Sequence, residues 1–120
     1  IKRIQKICKF LDTQELILIV LALYANYELM DWNRKNFLNY YEIYLDASLD
    51  LVKKRDPKNL YQKFKERKEK NIVGIDIPWQ APEKYNLKID MKENTSIEKI
   101  IKEISLKIYC FKDLGSLNGY

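Results

Sequence analysis

The sequence predicts an α/β fold, a parallel sheet with crossover helices, and three observations carry that prediction. An amphipathic helical repeat leads directly into a uniformly apolar run; helix-period and strand-like segments then alternate; and a short alternating strand is followed by a long helix with its own start signal. In order the elements read αβαβααβα.

Ile1, Ile4, Ile7, Cys8 and Leu11 recur at helical spacing with Lys2, Lys6 and Lys9 between them, which predicts an amphipathic helix over residues 1–12. The run LILIVLAL, Leu16–Leu23, has the composition of a strand covered on both faces. MDWNRKNF, residues 30–37, reads as a short helix and YYEIYLDA, residues 40–47, as a second strand. Ser48 is placed to cap a helix through LDLVKKR, and Pro57 stands where one helix ends or the next begins. NLYQKFKERKEK is helical but polar, with only Leu60, Tyr61 and Phe64 to anchor it, as expected of a mobile element. YNLKID alternates like a third strand. In the last helix Thr95 and Glu98 have capping-box spacing, and Ile97, Ile101, Ile104 and Ile108 form the expected core stripe. Residues 109–120 lack periodicity.

With 120 residues the chain fits one domain. Charged residues at 32% and hydrophobic ones at 47% suit a globular protein and exclude a disordered one. The formal charge of +5 favours anionic partners. Most of that charge is lysine, a bias typical of AT-rich genomes, so Arg3, Arg34, Arg55 and Arg67 are the more informative cations: a guanidinium can grip phosphate through two hydrogen bonds. There is no histidine, and Cys8 and Cys110 lie far apart, which argues against zinc sites and Cys/His or Ser/His catalysis and for two buried thiols in a reducing cytoplasm. The apolar run is too short to span a membrane.

Two co-linear segments carry a family resemblance. YEIYLDASLDLVKKRDPKNLY and NIVGIDIPWQAPEKYNLKID resemble the adenylylsulfate kinase family of P-loop nucleotide kinases, whose pattern is RDxKGLY, a basic helix, a GID turn with proline and an aromatic, a second proline and a strand. The matching residues are Arg55, Asp56, Pro57, Lys58, Leu60, Tyr61, Gly74, Ile75, Asp76, Pro78, Trp79 and Pro82. IKRIQKICKFL and IVLALYANY resemble the preceding helix and strand, so the similarity covers most of residues 1–108. It implies the three-layer P-loop kinase fold with a parallel sheet. The family's glycine-rich phosphate loop has no counterpart among Gly74, Gly115 and Gly119. The expectation is therefore that residues 1–120 are the C-terminal portion of one kinase domain, lacking the N-terminal P-loop strand and helix and inactive alone.

By that resemblance residues 55–73 form a lid over bound nucleotides. Arg55, Lys63 and Arg67 are its phosphate-facing cations; Lys58, Arg3, Tyr24, Ala25, Asn71 and Ile72 are the candidate substrate-binding residues. The resemblance implies ATP and Mg2+ as cofactors, a cytoplasmic location and a small nucleotide as partner rather than nucleic acid or membrane, with homodimer formation open. The implied activity is phosphorylation of the ribose 3′-hydroxyl of a nucleotide carrying a modified phosphate, by default adenylylsulfate to 3′-phosphoadenylylsulfate, as in sulfate assimilation. Ile72 stands where the family places a phenylalanine that stacks on the acceptor's adenine, and Asn26 and Glu28 replace a proline and an arginine at the other turn. Those departures keep a cytidine diphosphoramidate kinase of capsule biosynthesis as an alternative. A non-catalytic relative and a basic nucleic-acid-binding module are the others. Asp76 and Trp79 read as structural ahead of direct substrate contact, Asp76 as acceptor of turn hydrogen bonds and Trp79 as packing beneath the lid.

Overall fold

The computed structural model of the chain describes residues 1–14, 16–23, 26–56, 59–66 and 70–108. Among them the elements run α1 (Lys2–Asp12), α2 (Tyr27–Asn36), β1 (Ile43–Ala47), α3 (Leu49–Arg55), α4 (Leu60–Lys65), β2 (Leu87–Met91) and α5 (Ile97–Lys107). They fall into two units, Ile1–Tyr40 with Gln80–Glu83, and Tyr41–Trp79 with the residues from Lys84 on.

In the first unit α1 forms as its periodicity predicts, but it meets α2 through polar side chains. Gln5, buried, donates from Nε2 to the Leu29 carbonyl at 2.9 Å and to Asn33 Oδ1 at 2.7 Å. Asn33 in turn donates to the Tyr40 hydroxyl at 3.0 Å. Lys9 donates to the Asn36 carbonyl and lies 5.6 Å from the centre of the Phe37 ring, which stacks on Tyr40. The expected apolar stripe is correspondingly uncovered: Ile1, Ile4 and Ile7 are exposed, and Cys8 and Leu11 half-buried. Asn26 starts α2, its Oδ1 accepting from the Leu29 N–H at 3.1 Å. The residue that replaces a family proline is thus a helix cap.

The strand expected over Leu16–Leu23 does not form. The run is irregular, with Leu21 90% and Leu23 72% exposed. A strand buried on both faces needs neighbours to bond its N–H and C=O groups, and no strand among the described residues pairs with it.

The second unit is built on the parallel pair β1–β2, in register from Ile43 opposite Leu87 to Ala47 opposite Met91. Parallel strands require a long crossover, here supplied by α3, α4 and the turn that follows. Asn86 sets the register: its Oδ1 accepts from the Glu42 N–H at 2.8 Å while its own N–H returns to the Glu42 carbonyl at 2.9 Å. Ile89 and Ile108, 2% and 3% exposed, are the unit's core, with α5 lying against β2.

Ser48 caps α3 as expected, accepting from the Leu51 N–H at 3.2 Å. The start of α5 differs from the expected capping box by one residue. Ser96 is the cap, accepting from Lys99 N–H, while Thr95 closes the preceding turn by accepting from Lys92 N–H at 2.7 Å. The stripe shifts too: Ile100, Ile104 and Ile108 turn inward, whereas Ile97 and Ile101 are exposed. Isoleucines surround so much of this helix that two stripes satisfy the same period, and contact with β2 selects one.

Candidate functional site

The second unit holds the first of the two segments that the resemblance singled out and, apart from Gln80–Glu83, the second. At the end of α3, Lys53, Lys54 and Arg55 crowd the last turn, where the helix dipole favours cations. Arg55 Nη2 donates to the carbonyls of Lys92 and Glu93 at 3.1 and 3.3 Å, and Lys54 pairs with the Glu93 carboxylate. The root of the expected lid is therefore fastened to the turn that leaves the carboxyl end of β2. Asp56 then starts α4: its two carboxylate oxygens accept from the N–H groups of Leu60 and Tyr61, both at 2.9 Å. Asn59, where the family pattern has glycine, holds φ at 52°, a left-handed conformation that asparagine tolerates better than most residues. Lys63 is exposed on α4, while Tyr61 and Phe64 are half-buried. Among the described residues α4 ends at Lys65, short of the length that the polar run suggested.

The turn after the lid is closed by Asp76. Its carboxylate accepts from the N–H groups of Asn71, at 2.8 Å, and Ile72. The Ile72 carbonyl accepts from Ile75, Asp76 and Ile77 N–H at 3.1, 3.2 and 3.2 Å, and the Gly74 N–H closes onto the Ile77 carbonyl at 2.8 Å. Asn71 has φ 62° and Gly74 φ 85°. A Cβ on Gly74 would also meet Leu49 Cδ1 at 3.2 Å, so this position requires glycine for both backbone and space. The structural reading of Asp76 is thus met in full. Trp79 is 40% exposed and reaches the Tyr44 hydroxyl.

One polar group escaped the sequence reading. On one face of the strand pair Lys88 Nζ bridges Asp46 Oδ2 at 2.8 Å and Asp90 Oδ1 at 3.1 Å, and Tyr44 donates to Asp46 Oδ1 at 2.9 Å. Lys88, then Tyr44, hold the Asp46 carboxyl below its ordinary value; Asp46, then Asp90, push the Lys88 ammonium up; burial, then Asp46, raise Tyr44. The signal was present in register: Asp46 and Asp90 stand opposite one another, and two facing carboxylates need a cation between them.

Arg55, Lys63, Asn71 and Ile72 thus lie in the second unit, whereas Arg3 is exposed on α1 in the first. Tyr24, Ala25, Lys58, Arg67, Cys110 and the tail 109–120 lie outside the described residues. Cys8 is half-buried rather than buried. Among the described residues no three His, Cys, Asp or Glu side chains are grouped to hold a metal ion, and no helix is long and apolar enough to cross a membrane.

Comparison with known proteins gives the lineage. Residues 1–90 match the family described as adenylylsulphate kinase. The chain is 36% identical over 109 residues to cytidine diphosphoramidate kinase of Campylobacter jejuni, covering 84% of this chain and 61% of that protein. It is 34% identical over 106 residues to adenylyl-sulfate kinase of Staphylococcus carnosus, with 87% and 53% covered, and 34% identical over 115 residues to that of Oceanobacillus iheyensis, with 94% and 56% covered. The chain spans between half and two thirds of the length of these relatives. No solved structure matches it. A parallel strand pair with crossover helices, the two segments above and a family match over three quarters of the residues lead to one conclusion: the chain belongs to the adenylylsulphate kinase family.

Proposed function

We propose that this chain is part of an ATP-dependent kinase that phosphorylates the ribose 3′-hydroxyl of a nucleotide carrying a modified phosphate. The default acceptor is adenylylsulfate, giving 3′-phosphoadenylylsulfate. The observation that carries the reading is the position of Arg55: its guanidinium sits on the residues that immediately follow β2, at the carboxyl end of a parallel pair, the side on which open α/β sheets bind ligands. Family membership supports the same reading.

Phosphoryl transfer depends on positioning and on cancelling charge around the transferred group. In this reading the chain's contribution is the cation strip and the acceptor pocket. Arg55 and Lys63, with Lys58 and Arg67, meet phosphates as the lid closes, while Asn71 and Ile72 form a wall of the pocket. Arg3, Tyr24 and Ala25 are the further substrate-binding candidates that the resemblance implies. Bound ATP with magnesium would supply the phosphoryl group, but these residues do not fit its phosphate and magnesium site: the sequence has no GxxxxGK[ST] loop, and among the described residues no three His, Cys, Asp or Glu side chains are grouped. Activity thus requires a phosphate-cradling segment in addition to these 120 residues. The reaction belongs in the cytoplasm, where ATP is supplied.

A second reading, cytidine diphosphoramidate as acceptor, is favoured by Ile72. An aliphatic side chain offers no π face, so stacking worth about 1–3 kcal/mol per base is absent at that position. The relative named for that substrate supports it as well. The test is phosphate transfer from ATP to each acceptor by the full-length protein. Transfer to one of them is expected, and transfer to neither overturns the reading. Arg55→Ala should lower kcat/KM by about tenfold or more, equivalent to at least about 1.4 kcal/mol of lost transition-state stabilisation.

A further inference from the structure

Glu93 meets two cations from the last turn of α3, and it meets them in different ways. Its carboxylate pairs with Lys54, whereas its backbone carbonyl, with that of Lys92, accepts from Arg55. The reverse arrangement would be the stronger one, because a guanidinium and a carboxylate can form two parallel charge-assisted hydrogen bonds and a lysine cannot. The carboxylate belongs to the residue whose carbonyl already accepts from Arg55 Nη2 at 3.3 Å, so rotation of side chains would suffice for capture. Instead both Arg55 contacts run from Nη2 to neutral oxygens, and among the described residues the rest of the guanidinium has no partner. Nor does the turn after β2 depend on Arg55. It closes on itself: the Lys92 carbonyl accepts from the Thr95 N–H at 3.2 Å, and Thr95 Oγ1 accepts from the Lys92 N–H at 2.7 Å.

Resting on the kinase reading above, we propose that Lys54 is a positioning residue that keeps Arg55 available to phosphate. By occupying the Glu93 carboxylate, Lys54 prevents that carboxylate from capturing the guanidinium. Arg55 then rests on neutral carbonyls, which a phosphate dianion displaces because its hydrogen bonds to a cation are charge-assisted on both sides. Lys54 itself touches no substrate. Both members of the pair are exposed, so it adds little to stability, and its effect is on the competition for Arg55.

The experiment uses the full-length protein with ATP and whichever of adenylylsulfate and cytidine diphosphoramidate the wild type phosphorylates. Lys54→Met should lower kcat/KM for ATP by about fivefold, since the freed carboxylate takes Arg55. Adding Glu93→Gln should bring it back to within about twofold of wild type, because a neutral amide oxygen holds a guanidinium no better than a backbone carbonyl does. In an Arg55→Ala background Lys54→Met should change kcat/KM by less than about 1.5-fold, the group through which it acts being gone. A loss that Glu93→Gln does not restore, or an equal loss in the Arg55→Ala background, overturns the proposal, for Lys54 would then bind phosphate itself or serve only as a support. A Lys54→Met protein as active as wild type overturns it too. If the methionine variant does not fold, Lys54→Gln gives the same comparisons. Wild-type protein that phosphorylates neither nucleotide removes the kinase reading and this inference together, whereas normal wild-type turnover with an insensitive Lys54 removes this inference alone.

Discussion

Asn59, Asn71 and Gly74 carry the positive φ angles around the candidate site, at 52°, 62° and 85°. At Asn59 the left-handed conformation delivers the chain into α4 while Asp56 binds the first free N–H groups of that helix. Asn59→Gly should therefore keep or slightly raise stability, and Asn59→Val should lower it by about 1–2 kcal/mol in urea titrations. Removing the carboxylate in Asp56→Ala costs about 1 kcal/mol locally, seen as roughly fivefold faster hydrogen exchange at Leu60 and Tyr61 with Ile89 unchanged. Some of this was legible in the residue types. Asp76 sits after a glycine-containing turn as a hydrogen-bond acceptor should, and Ser48 precedes an apolar helical repeat. What composition alone does not give is the direction of Arg55, whose Nη2 donates to the backbone carbonyls of Lys92 and Glu93. A guanidinium serves phosphate and carbonyl alike, and the choice is tertiary.

The strand pair shows how an element combines an apolar core position with a titrating polar face. Ile89→Ala should cost about 2–4 kcal/mol, since the side chain is 2% exposed and leaves a cavity when shortened. On the polar face the sign of the pH dependence follows from Asp46. Its folded-state value lies below its unfolded one, so its contribution is complete above about pH 4 and is lost as pH falls through the lowered value. Lys88 is shifted upward, so its contribution is complete at neutral pH and is lost only in strong alkali. Lys88→Met should therefore flatten the acid limb of stability measured from about pH 5 to pH 2, because Asp46 then loses the partner that lowers it most. The elements themselves were largely legible: the helices and both paired strands lie where periodicity puts them. The failures share a cause. LILIVLAL has the right composition for a strand but no partner among the described residues, and α5 offers two overlapping stripes of which contact selects one.

Across the whole molecule, large apolar side chains stand in water on Ile1, Ile4, Ile7 and along Leu16–Leu23. Contiguous exposed apolar surface promotes association, so the 120-residue chain should scatter light increasingly with concentration. Leu21→Asp, at a position 90% exposed, should reduce that scattering without lowering the unfolding temperature. The family could be read from two short segments because each must hold a particular backbone shape; the state of the apolar run could not, since burial is a property of what lies beside a segment. The contact between α1 and α2 has a calorimetric consequence. Gln5 and Lys9 join these helices by hydrogen bonds, and Met30 is the one buried apolar residue described in that unit. Little hydrocarbon is hydrated when they separate, so their opening should carry a heat-capacity increment below the usual 12 or so cal/mol/K per residue. Cooling from about 35 to 5 °C would then change the protection of the Asn33 and Phe37 amides less than that of Ile89, leaving the hydrogen-bonded pair of helices less sensitive to cold than the strand core.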